Sequence, residues 1–77
     1  MKNGIVEENG ILYYYINGSR AYGAGVVKLT DEEGRDFYIY VRSGGQLATG
    51  IYWPTNTNGL LTYGRSYDFG TDGRLYL

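Results

Sequence analysis

The stretch "YYYINGSRAYGAG" (residues 13–25) lies over "YIYVRSGGQLATG" (residues 38–50) without a gap, at an offset of 25. Tyr13 falls on Tyr38, Tyr15 on Tyr40, Ile16 on Val41, Tyr22 on Leu47 and Gly25 on Gly50. Each copy is a short aromatic and β-branched run, then turn residues, then a second short run closed by glycine. That is the pattern of a β-hairpin. Asn-Gly occurs four times, at Asn3-Gly4, Asn9-Gly10, Asn17-Gly18 and Asn58-Gly59. The pair favours type I′ turns, whose two central residues both need positive φ. No window carries a 3.6-residue apolar period, and in "DEEG" (residues 31–34) a glycine ends the acidic run before a helix can form. The spacing predicts an all-β protein.

The repeat extends outward from this pair. "NGIVEENG" resembles "AGVVKLTDEEG", with a longer connection in the second copy. A looser third copy, "FGTDGRLYL" from Phe69, follows "VRSGGQLAT" from Val41, with Gly73 on Gly45 and Leu75 on Leu47. The chain therefore reads as one domain of three hairpin units, near residues 3–24, 25–50 and 51–77. Repeats of this length bury their faces only against one another, which predicts a short solenoid or a twisted antiparallel sheet. The third unit has Ser66 and Asp68 where the second has Tyr38 and Tyr40, and reads as an atypical polar cap.

Alternation along a strand assigns the faces. Phe37, Ile39 and Val41 form a dry set; Asp36, Tyr38, Tyr40 and Arg42 form a wetter one. Leu12, Tyr14 and Ile16 are expected to join the interior, with Val27, Leu47, Leu61, Phe69 and Leu75 as companions. By the offset of 25, Tyr13, Tyr15, Tyr38 and Tyr40 share the wetter face. Within the triple tyrosine, Tyr14 reads as core, and Tyr13 and Tyr15 as display.

Composition narrows the chemistry. The 77 residues contain no cysteine and no histidine, so there is no disulfide, no thiolate, and neither the commonest zinc ligand nor the commonest general base. Net charge is −1 and the seven basic residues are dispersed, which speaks against nucleic acid. Apolar runs reach only four or five residues, too short for a membrane-spanning helix. The opening "MKNGIVEENG" has a lysine but no apolar region of the kind a signal peptide carries. Ten tyrosines and thirteen glycines fit strands joined by tight turns. The order of Asp31, Glu32, Glu33 and Asp36 does not fit an EF-hand loop and reads as a solvated turn. "GAGVVK" completes neither phosphate-loop spacing. No cofactor, metal site or enzymatic activity is expected.

These residues resemble the cell-wall-binding repeats of Gram-positive surface proteins, the choline-binding and glucan-binding repeat family. "ENGILYYYINGSRAYGAG" and "GRDFYIYVRSGGQLATG" fit that pattern best: an aromatic pair, an Asn/Asp-Gly turn, a closing glycine. In choline-binding members, tryptophans of successive hairpins cage the quaternary ammonium by cation–π attraction. The corresponding positions here hold Ile5, Val26, Leu12 and Phe37. What the resemblance implies is the hairpin-stack fold, a place at the cell surface or outside the cell, and neighbouring repeats of a larger protein as partners.

Tyr13, Tyr15, Tyr38, Tyr40 and Trp53 are the candidate ligand-binding residues. The four tyrosines read either as a platform on which sugar rings stack or as cross-strand pairs that stabilise a thin sheet. Trp53, beside Tyr52 and Pro54, reads either as a binding hot spot on an irregular stretch or as the plug of a small core. Two functions remain open. One is a non-catalytic module binding cell-wall or other glycans through exposed aromatics. The other is a structural spacer or protein-interaction repeat with no small ligand.

Overall fold

The computed structural model describes all 77 residues, and the protein is all-β. Seven strands form three small antiparallel sheets. The first sheet holds β1 (Gly4–Glu8), β2 (Ile11–Ile16) and β3 (Ser19–Arg20), in that order. The second is the hairpin of β4 (Gly25–Thr30) and β5 (Asp36–Val41). The third is the short pair β6 (Ile51–Tyr52) and β7 (Tyr67–Asp68).

Three of the four Asn-Gly pairs are the expected turns. Asn9, Asn17 and Asn58 all have positive φ, and so do the glycines that follow them. In the fourth pair only Gly4 has positive φ, and it opens β1. The β4–β5 connection closes instead around Asp31, whose Oδ1 accepts the backbone N–H groups of Glu33 and Arg35, both at 2.9 Å.

A returning strand segment bonds each later unit to the one before it, and at the second junction the loop after β6 adds bonds of its own: Val26 N–H donates to Asn56 O, and Asn58 Nδ2 donates to Ala24 O and Val26 O. The strand segment that follows β5 folds back on its own hairpin, with Ala48 N–H donating to Tyr40 O, and also reaches the preceding sheet, with Leu47 N–H donating to Leu12 O at 2.8 Å. The C-terminal segment does the same one unit further on: Leu75 and Tyr38 exchange both backbone bonds.

Matching these bonds sets the structural register of the repeat. Leu12 corresponds to Tyr38, because each meets the equivalent leucine, Leu47 or Leu75. Tyr14 corresponds to Tyr40, because each accepts from the equivalent alanine, Ala21 or Ala48. The β2–β5 offset is therefore 26, not the 25 that the letters favour. A slip of one residue moves every side chain to the opposite face. Tyr13 and Tyr15 thus correspond to Ile39 and Val41, and do not share a face with Tyr38 and Tyr40.

Two clusters make the core, one at each junction. Phe37, Ile39, Val41 and Leu47 pack on Ile5, Leu12, Tyr14 and Ala21 of the first sheet. Val26, Tyr40 and Ala48 pack with Phe69 and Leu75, flanked by Tyr38, Tyr52, Leu61 and Tyr67. So β5 is covered on both faces, and the wetter face expected for Tyr38 and Tyr40 is not wet in the middle unit. Ile39 is wholly buried. Ile16, expected inside, is 52% exposed. It corresponds to Arg42, also exposed, at the end of the strand beyond both clusters.

Candidate functional site

The five expected ligand-binding residues do not form one platform. Tyr15 is 8% exposed and Tyr40 only 5%. The Tyr40 hydroxyl lies 3.0 Å from Thr55 Oγ1 and accepts the Asn56 backbone N–H, while its ring packs at 5.0 Å from that of Tyr52. Tyr38 is half-buried at the same junction. Tyr13 and Tyr15 belong to the first sheet, on its other face, away from the cluster that holds Tyr40. Trp53 is 61% exposed, so it plugs no core; Pro54 next to it is the residue that is buried.

The outer face of the first sheet is closed by charge. Glu8 Oε1 accepts from Arg20 Nη2 at 2.6 Å and from the Tyr15 hydroxyl at 2.7 Å, and Glu8 Oε2 accepts from Lys2 Nζ at 2.7 Å. The Arg20 guanidinium lies 3.7 Å from the centre of the Tyr13 ring. These contacts explain why Tyr15 is buried with no neighbouring sheet above it. The bonds from Lys2 and then Tyr15 hold the Glu8 carboxyl down at about 2.

All five arginines lie over aromatic rings: Arg20 over Tyr13, Arg35 over Tyr76 at 4.8 Å, Arg42 over Tyr52 at 5.6 Å, Arg65 over Tyr67 at 5.0 Å, and Arg74 over Phe37 at 4.5 Å. Ring faces that would attract an added cation are thus approached by the chain's own guanidiniums. Only Arg65 and Tyr67 are close in sequence; the other four pairings are made by the fold.

One groove combines aromatic rings and carboxylates. It has a volume of about 610 Å³ and runs between the first sheet, the β4–β5 turn and the C-terminal segment. Ile5, Tyr14 and Phe37 line it with Tyr76; Asp31, Glu32 and Glu33 supply acidic oxygens, and Arg74 a positive edge. Tyr76 is fixed there, its hydroxyl donating to Asp31 Oδ2 at 2.9 Å and its ring 5.6 Å from Phe37. The Arg35 backbone N–H, more than the Tyr76 hydroxyl, holds the Asp31 carboxyl below its ordinary range. Glu32 and Glu33 make no ion pair and present free carboxylates. Of the expected residues only Tyr15 reaches this groove. Tyr14, Phe37 and Tyr76 were missed as site residues because the first two read as core and the last is 45 residues from its partner Asp31.

The arrangement offers stacking surfaces and hydrogen-bond acceptors. Both displaced carboxyls, Glu8 and Asp31, move downward, toward the ionised state of a structural acceptor. A general acid for glycoside cleavage needs the opposite shift. No group of three or more His, Cys, Asp or Glu residues is placed to hold a metal ion. No helix is long and apolar enough to cross a membrane. No family model matches the chain, and neither curated proteins nor solved structures give a match.

Proposed function

We propose that the chain is a non-catalytic bacterial cell-surface module that binds a cell-wall or other glycan in the groove between its first two hairpins. The observation that carries this reading is the meeting of the part-exposed Tyr14 and Tyr76 rings with the free carboxylates of Glu32 and Glu33 in one groove whose floor is Phe37. Sugar rings lay their C–H faces on aromatic rings, and their hydroxyls donate to carboxylate oxygens. A volume of about 610 Å³ suits a short saccharide. Trp53, exposed on the third unit, adds a second aromatic contact point for a longer chain.

The test is an amide NMR titration with choline, soluble peptidoglycan fragments and a panel of glucans. Saturable shifts around Tyr14, Glu32, Phe37 and Tyr76 are the expected outcome. No shift at millimolar concentrations of any of these ligands removes the glycan reading. A second reading, a spacer or protein-interaction repeat without a small ligand, draws support from the junctions. Each is closed by a returning segment that bonds back to the preceding unit, and the arginines already lie over ring faces a ligand would use.

A further inference from the structure

The four Asn-Gly pairs share one latent reaction. The backbone nitrogen of the glycine can attack the side-chain carbon Cγ of the asparagine and close a five-membered imide. The fold sets the pairs apart. Gly18 N–H donates to Lys2 O at 2.8 Å, so the nucleophile after Asn17 is occupied. Asn3 Oδ1 accepts the Asn17 N–H at 2.7 Å, which fixes that side chain. Gly10 and Gly59 donate to nothing, and both lie in exposed turns.

Those two turns differ in what the asparagine amide holds. Asn9 clamps nothing. Asn58 Nδ2 donates to Ala24 O at 2.7 Å and to Val26 O at 2.9 Å, across the second junction. Both partners are carbonyl oxygens, so only the NH2 end of the amide fits there. Leu60 N–H closes the turn on Thr57 O, and Asn58 has a φ of 52°. The group that ties the third unit to the second is therefore the group that imide formation expels.

We propose that Asn58 is a site of self-modification by deamidation, protected while the second junction is closed and converted to a carboxylate when it opens. The Gly59 nitrogen gives its proton to hydroxide and bonds to Asn58 Cγ. The Cγ–Nδ2 bond breaks, and ammonia departs with its third hydrogen taken from water. Water then adds across one of the two imide C–N bonds and leaves aspartate or isoaspartate. One water is consumed and one ammonia released, with no oxidation or reduction. Nδ2 leaves only after it gives up Ala24 O and Val26 O, which is why closure protects it. The product puts an acceptor-only anion against two carbonyl oxygens. The change is one-way, so it accumulates with the time the junction spends open. This goes beyond both readings above and depends on neither.

The test is ageing of the 77-residue chain at mildly alkaline pH, with peptide mapping for the gain of one mass unit at each pair. Asn58 is expected to convert at least about tenfold more slowly in the folded chain than in urea. G25A, which crowds Asn56 O at the same junction, is expected to speed conversion at Asn58 and not at Asn9. N58D mimics the product and is expected to melt about 5 °C or more below the wild type, whereas N9D melts with it. N58G keeps the turn's positive φ without the amide or the charge, and is expected to fall between wild type and N58D. An Asn58 that converts as fast in the folded chain as in urea overturns the proposal. So does a G25A that speeds both pairs alike, or an N58D that melts with the wild type.

Discussion

At the scale of single residues, a lid of charged side chains covers the outer face of the first sheet. Tyr15 gains its burial from Arg20, Glu8 and Lys2, not from another sheet. The lid carries a pH signature whose sign follows from the shift. Glu8 titrates near 2 in the folded protein against an ordinary 4.5, so its contribution is complete above pH 4.5 and is lost as pH falls toward 2. Chemical denaturation from pH 6 down to pH 2 is expected to show stability falling through that window, and a shallower fall in E8Q. Equal slopes in the two proteins would remove Glu8 from the account. The lid is exposed to solvent, so the effect is modest and shrinks in high salt.

At the scale of elements, glycine does two different jobs. Gly10 is in a type I′ turn with open space around it, and its φ of 80° is what the turn requires. Gly25 opens β4 at a φ of 73°, and a Cβ there would stand 2.5 Å from the Asn56 carbonyl oxygen. That carbonyl is also the acceptor for the Val26 N–H, so it has no freedom to retreat. G10A is expected to cost about 1 kcal/mol, from left-handed strain alone. G25A adds a backbone clash and is expected to cost at least about twice as much. Urea unfolding of both variants decides it, and equal costs would mean that the Asn56 loop moves aside. Turns and strands of this kind were legible in the sequence because their signals are local. Asn-Gly pairs and tyrosine-rich runs mark hairpins without reference to anything distant. The register between copies was not legible. The letters align best at 25, the hydrogen bonds at 26, and that single residue exchanges the faces of Tyr13 and Tyr15.

At the scale of the whole molecule, the candidate site was less legible than the fold. A two-faced strand calculation assumes one wet side, whereas β5 is covered by a neighbour on each. Tyr40 was therefore expected in solvent and is buried. The groove escaped notice because it joins residues from three separate parts of the chain, and nothing local marks Tyr76 as the partner of Asp31. Double coverage has a measurable result. Amides of β4 and β5 are expected to exchange with deuterium most slowly, with Ile39 among the last, and those of β6 and β7 much faster. Uniform exchange across the three sheets would contradict a core centred on the middle hairpin.

The returning strand segments have a mechanical consequence. Gln46 and Leu47 are bonded at once to their own hairpin and to β2, and Leu75 is bonded back to β5. Each unit is thus latched to its predecessor as well as joined to it by the chain. Under tension applied at the two termini, extension has to break the latches. Leu75 gives up Tyr38, and Asn56 and Asn58 give up Val26 and Ala24, before the middle hairpin can separate, and Leu47 gives up Leu12 before the first can. The protein would lengthen in steps, one hairpin at a time, each intermediate holding the units not yet released.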